Sequence, residues 1–128
     1  MDPISDLLVR IRNGYRARRP TVLVPYSRFK GEIVRVLGER GYVGGVERRG
    51  RRVRKTLEIS LRYKDGEPAL RGAKRLSKSS RRVYVKAGSI RPVLQGTGML
   101  ILSTPQGVMT GEEARKARVG GEAIAEVW

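Results

Sequence analysis

Ile4, Leu7, Leu8, Ile11 and Tyr15 recur at the spacing of one helical face, while Asp6, Arg10, Asn13 and the cluster Arg16, Arg18 and Arg19 fall on the other side or at the end. Asp2 reads as an N-cap and Pro3 suits the first helical position, where its missing N–H removes no helical bond; Pro20 then ends the element. Residues 21–24 are short and β-branched, which predicts a strand stopped by Pro25. Ser27 caps a second helix predicted over 28–40, with Phe29, Ile33, Val36 and Leu37 as its apolar stripe and Gly41 in the left-handed position after it. Residues 42–47 and 53–62 read as a hairpin turning near Arg49 and Gly50. In its second strand Leu57, Ile59 and Leu61 alternate with Glu58, Ser60 and Arg62.

The polar Gly/Pro stretch 64–68 interrupts two apolar-patterned regions and is the expected linker, giving lobes at 1–65 and 66–128. Beyond it, 70–76 is ambiguous, 78–80 is a turn, and 81–86 predicts a strand. There Val83 and Val85 face one way, and Tyr84 faces the other with Arg82 and Lys86. The second half is organised around residues 96–108, which read as strand, polar loop, strand. The apolar run 99–102 is too short to span a membrane and fits a buried strand. Ser103 and Thr104 break the run, Pro105 fixes its own φ, and Gly107 permits a tight backbone path, so 103–107 is a rigid polar tip. Thr110 and Glu113 have the spacing of a capping box for a short helix through Ala117, ended by Gly120 and Gly121. A last strand over 122–128 has both faces partly covered. The predicted class is α+β: two small mixed α/β lobes, the first helix–strand–helix–hairpin, the second mostly β with one short helix.

Charge changes the picture more than length does. The chain has 128 residues and a net charge of +16, from 28 basic and 12 acidic side chains, which makes a polyanion the natural partner. No Asp or Glu occurs between Glu67 and Glu112. If the chain divides, each half buries only roughly 60% of its unfolded surface and leans on a neighbour or ligand. There is no Cys and no His, which removes thiolate and imidazole chemistry and the usual zinc sites. Gly96 and Gly98 lead into a strand and match no phosphate-cradling nucleotide loop, while Glu112 and Glu113 are explained as the first turn of a capped helix. Neither an enzyme nor a cofactor is expected. The amino terminus lacks the layout of a signal peptide and no segment is long enough to cross a bilayer, so a soluble cytosolic protein is expected, with no membrane partner and no small-molecule substrate.

Binding remains. The hydroxyls, amide and backbone of Ser103, Thr104, Pro105, Gln106 and Gly107 can meet base edges, ribose 2′-OH groups and phosphates. Tyr84 between Arg82 and Lys86 has the composition of a base-stacking platform, and equally of a tyrosine covering a sheet edge. The basic turn with Arg48, Arg49, Arg51, Arg52, Arg54 and Lys55 is either a polyanion contact or a solvated hairpin tip.

Several motifs, in order and spacing across essentially the whole chain, resemble the bacterial form of small-subunit ribosomal protein eight. They are Asp2-Pro3-Ile4-Ser5-Asp6, Arg10-Ile11-Arg12-Asn13, Ser27-Arg28-Phe29-Lys30, Arg81-Arg82-Val83-Tyr84-Val85, the 96–109 stretch, Glu113-Ala114-Arg115-Lys116, and Val119-Gly120-Gly121-Glu122 ending in Glu126-Val127-Trp128. The resemblance implies two α/β lobes and a structural protein that helps assemble the small subunit by binding a stem in the central domain of 16S ribosomal RNA beside neighbouring subunit proteins. In some relatives the same surface binds messenger RNA. Carried over by motif, RNA contacts are implied at Ser103, Thr104, Gln106, Gly107, Tyr84, Gly120, Gly121 and Glu122, with Arg81 and Arg82 on the adjoining strand. Asp2, Pro3, Arg12 and Asn13 are implied in a second contact from the other lobe, and Lys30 is a further expected RNA-binding residue. Glu122 beside RNA is intelligible because a carboxylate accepts hydrogen bonds from base amino and imino groups, which Lys and Arg cannot do. The loop departs from the Ser-Thr-Ser-Lys-Gly usual in relatives: Pro105 and Gln106 replace the second Ser and the Lys, removing one hydroxyl and one charge. Compensation from the arginines of the 48–55 turn is expected. A messenger-RNA repressor, an RNA-acting enzyme built from carboxylates, and membrane-surface binding stand as alternatives in descending order.

Overall fold

The structure, a computed structural model, describes residues 2–51, 54–92 and 97–128. The elements are α1 (Pro3–Arg16), β1 (Thr21–Pro25), α2 (Arg28–Glu39), β2 (Val46–Arg49), β3 (Thr56–Ser60), β4 (Tyr63–Lys64), β5 (Glu67–Pro68), β6 (Ala73–Arg75), β7 (Tyr84–Val85), a 3-10 turn (Ala87–Ser89), β8 (Met99–Thr104), β9 (Gly107–Thr110), α3 (Gly111–Ala117) and β10 (Gly121–Val127). They divide into two compact units, Pro3–Arg71 and Gly72–Trp128, with Asp2 counted in the second. No helix among the described residues is long and apolar enough to cross a membrane.

In the first unit α1 buries the stripe Ile4, Leu7, Leu8, Ile11 and Tyr15. Removing such side chains from water is the main favourable contribution to folding, about 1.5–3 kcal/mol for each large one. Ser27 Oγ accepts from the Lys30 N–H at 3.1 Å and opens α2, which buries Ile33, Val34, Val36 and Leu37; Gly41 follows the helix at φ +81°. The sheet is antiparallel with order β1-β3-β2, so β3, carrying buried Leu57 and Ile59, is its centre. The first hairpin strand lies later than predicted. Residues 42–45 form the approach to it, with Val43 buried and the Tyr42 carbonyl accepting from the Tyr15 hydroxyl at 2.6 Å. The Gly44 N–H still donates to the Ser60 carbonyl at 2.7 Å and the Gly45 carbonyl accepts from the Ser60 N–H at 2.9 Å, so this approach is tied to the end of β3. The turn falls at Gly50, whose φ is +95°, and Arg52 and Val53 lie outside the described residues. The stretch expected as a linker is a tight hairpin, β4 with β5, closed by Asp65 and Gly66 in the left-handed region, and it belongs to the first unit.

In the second unit β10 is the central strand. The sheet runs β6-β10-β8-β9, and β7 also pairs with β10. Met99, Leu100, Ile101 and Leu102 are all buried, as the apolar run predicts, and β8 continues through Ser103 and Thr104. Gly96 lies outside the described residues. The capping box forms: Thr110 Oγ1 accepts from the Glu113 N–H and Glu113 Oε1 accepts from the Thr110 N–H, each at 3.1 Å. Arg118 at φ +58° ends α3, rather than the two glycines, which go on to serve β10. Ala114 packs with Ile90, Leu100, Leu102 and Ala123, and Val83 and Val85 close over that cluster. The predicted strand over 81–86 shortens to β7 because Arg81 is taken up in a turn with Lys78.

Candidate nucleic-acid interface

Glu122, near the start of the central strand β10, lies opposite Tyr84 of β7 on one side and Ser103 of β8 on the other. Directly opposed residues in antiparallel strands share a face. Tyr84, Glu122 and Ser103 therefore form a row across three neighbouring strands. Tyr84 is 70% exposed while its neighbours Val83 and Val85 pack inward, and Arg82 and Lys86 are exposed with it.

The Glu122 carboxylate is held in place. Ser77 Oγ and Arg82 Nη1 both donate to its Oε2, the latter at 2.8 Å. Ser77 is fully buried and its oxygen also accepts from the Val83 N–H at 3.1 Å, tying the turn before β7 to β10. The Ser77 hydrogen bond, with Arg82 adding to it, keeps the Glu122 carboxyl below the ordinary carboxylate range in spite of partial burial. The same pairing raises the pKa of Arg82. Glu122 is thus ionised at neutral pH, and with both bonds on Oε2 its Oε1 can accept from a base amino or imino group.

The loop beside this row is braced from within. Thr104 pairs with Gly107 across a two-residue tip, Pro105 and Gln106, with Gly107 at φ +114°. Thr104 Oγ1 donates to the Gly107 carbonyl at 2.8 Å and accepts from the Gln106 N–H at 3.1 Å. Its hydroxyl proton is spent inside the loop, so Thr104 shapes the tip and retains only acceptor capacity. Pro105 and Gln106 are exposed and Ser103 is half-buried. Gly120 and Gly121 have a packing role of their own: a Cβ at Gly120 would overlap the Val85 carbonyl, and one at Gly121 the Ser103 carbonyl. The absence of side chains lets β7 and β8 close on the start of β10.

Arg81 is exposed at its turn, with backbone bonds to Lys78. Asp2 accepts from Arg75 Nε at 2.7 Å. In the first unit Pro3 and Asn13 are exposed, and Arg12 is half-buried with its Nε fully covered and unpartnered among the described residues. Lys30 departs from expectation: at 6% exposure it is withdrawn among the core residues of α2 and is a poor surface contact. In the basic turn, Arg48 lies over the Tyr26 ring at 5.0 Å and donates to its hydroxyl at 3.2 Å. Arg49 pairs with Glu47 at 2.8 Å and with Glu58, so part of that turn's charge is engaged locally; Arg51 and Arg54 are exposed. Glu113 is used in its capping box and Glu112 pairs with Lys116 at 3.2 Å. Among the described residues no group of three or more acidic, His or Cys side chains could hold a metal. Sequence reasoning missed Ser77, which it placed just outside a turn; a lone serine before Lys78-Ser79-Ser80 carries no local signal of burial.

The model of one protein family, described as Ribosomal protein S8, matches residues 2–128. The chain is 45% identical over 127 residues to the small ribosomal subunit protein uS8 of Mycoplasmopsis agalactiae, covering 99% of this chain and 97% of that one. It is 47% identical over 128 residues to uS8 of Mycoplasmopsis synoviae, with the same coverage of 99% and 97%. To uS8 of Dictyoglomus thermophilum it is 46% identical over 127 residues, again covering 99% and 97%.

Proposed function

The chain belongs to the ribosomal protein S8 family, and from that premise we propose that it is a non-catalytic constituent of the cytoplasmic small ribosomal subunit whose second unit binds a stem in the central domain of 16S ribosomal RNA. The observation that carries the RNA reading is the row Tyr84, Glu122, Ser103, which puts an exposed aromatic, a fixed carboxylate acceptor and a hydroxyl on one face beside the braced 104–107 loop. Tyr84 offers a stacking plane, Glu122 Oε1 accepts from base edges, and Ser103 with the loop backbone meets ribose and phosphate oxygens. A protein with net charge +16 supplies the sequence-independent attraction to phosphates and a steep dependence on salt. A second contact from the first unit would use Pro3, Arg12 and Asn13. The residues argue for positioning and recognition, not turnover.

The test is binding of the full chain to a small central-domain stem and to an unrelated duplex across a salt series, for the unaltered protein and for Tyr84→Ala with Ser103→Ala. These two changes leave the bonds inside the loop intact. Preference for the stem that persists as salt rises and collapses in the double variant supports the reading. Equal binding of both RNAs, with a salt slope of about one per phosphate neutralised and no effect of the variant, refutes it.

A further inference from the structure

The first unit contains a cleft of about 250 Å³ into which Arg12, Arg16, Arg18 and Arg71 converge over a floor that includes Tyr15 and Leu70. No carboxylate lines it. Elsewhere on the helices three cations are paired with an acid four residues away: Arg10 with Asp6 at 2.9 Å, Arg35 with Glu39, and Lys116 with Glu112 at 3.2 Å. Arg12 and Arg16 stand four apart on α1 with no such partner among the described residues, and like charges at that spacing destabilise a helix. Arg12 Nε is moreover buried without a hydrogen-bond partner among the described residues, a state that is unfavourable for a charged donor. An anion among the guanidinium groups would offset the like-charge repulsion.

The cleft is also built in advance. Tyr15 is 2% exposed and its hydroxyl is fixed twice, donating to the Tyr42 carbonyl at 2.6 Å and accepting from the Arg62 N–H at 3.0 Å; Leu70 is 1% exposed. Arg18 is anchored by its own bond to the Gly66 carbonyl and by the Tyr63 ring, 5.7 Å from its guanidinium carbon. Guanidinium forks bind planar or tetrahedral oxyanions in bidentate fashion. The volume is below that of ordinary drug-sized pockets and suits a phosphate or diphosphate group.

We infer that this arginine cleft of the first unit is a phosphate-binding site. With an RNA backbone phosphate as occupant, the inference rests on the RNA-binding reading above; with a free phosphate it stands apart from that reading. Full-length protein is titrated with inorganic diphosphate and, separately, with the central-domain stem and an unrelated duplex over a salt series. The Arg12 Nε–H resonance is followed, and Arg12→Gln and Arg71→Gln are compared after their thermal melts are checked. Expected for RNA as the source is a shift of the Arg12 Nε–H signal on adding RNA and a salt slope shallower by about one in each variant for both RNAs, their ratio of affinities being preserved. Expected for a free phosphate is the same shift on adding diphosphate, lost in Arg71→Gln, with the RNA slopes of Arg71→Gln unchanged. A signal that moves with neither probe, together with unaltered slopes in folded Arg71→Gln, overturns the site. That result leaves the 103–107 loop to be judged by its own variants.

Discussion

Arg82 Nη1 and Glu122 Oε2 are 2.8 Å apart, and the buried hydroxyl of Ser77 donates to that same carboxylate oxygen. The exposed arginine contributes little by itself, since ion pairs open to water are largely screened. Ser77 is different, because its oxygen also satisfies the Val83 N–H. Ser77→Ala leaves that amide and one side of the carboxylate short of partners, and should lower stability by about 1–3 kcal/mol. Urea unfolding measures this; an unchanged midpoint would show that water replaces the hydroxyl at no loss.

Glu122 also sets a pH dependence. Its carboxyl is depressed by the Ser77 hydrogen bond and by Arg82 from an ordinary value of 4.5. A depressed carboxylate contributes stability that is present above its unfolded pKa and is lost as pH falls through its folded pKa. The stability difference between the unaltered chain and Glu122→Gln should therefore be flat near neutrality and shrink once pH drops below about 4.5. Denaturant melts of both proteins from neutral to acid pH test it. A difference that grows on acidification contradicts the sign.

Much of this was legible in the residues. The stripes of α1 and α2, the Ser27 cap, the Thr110–Glu113 capping box and the outward turn of Tyr84 between Val83 and Val85 all follow from local spacing, because each is decided within a turn or two of chain. What local spacing cannot carry is pairing between distant strands. That Glu122 faces both Tyr84 and Ser103 depends on β10 lying between β7 and β8, and Ser77 gains its role only through contact with a residue 45 positions away. The burial of Lys30 was equally hidden: expected as an RNA contact, it is carried inward by the turn of α2.

Gly121 is held to glycine by a neighbouring backbone rather than by its own dihedral angles. A methyl there would overlap the Ser103 carbonyl, and Ser103 is locked in β8. Gly121→Ala should destabilise by about 2–4 kcal/mol through forced separation of β8 and β10. It should also weaken RNA binding, since Ser103 and Glu122 would move apart. Amide exchange at Ser103 and Glu122 provides the check, and protection equal to that of the unaltered chain would contradict it.

Thr104 separates loop shape from loop contact. Thr104→Val keeps the volume of the side chain and removes the bonds to the Gly107 carbonyl and the Gln106 N–H, whereas Thr104→Ser keeps the hydroxyl. The valine variant should lose about 1–2 kcal/mol of stability and affinity for the stem, and the serine variant should retain both to within about 0.5 kcal/mol. If valine and serine behave alike, the internal bonds do not set the loop.

Gln106 sits at the exposed tip, where a lysine would add a cation next to the row Tyr84, Glu122, Ser103. Nothing in the loop's bracing depends on its side chain, because the bond to Thr104 comes from the Gln106 backbone N–H. Gln106→Lys should therefore leave the melting temperature unchanged while adding one phosphate contact. A Lys that reaches a phosphate steepens the salt dependence of binding by about one in the logarithmic slope, for cognate and unrelated RNA alike, without changing their ratio. Titrations at several salt concentrations read this directly. A higher affinity with an unaltered slope would mean that position 106 reads a base or ribose group, and an unaltered affinity would place the tip away from the RNA altogether.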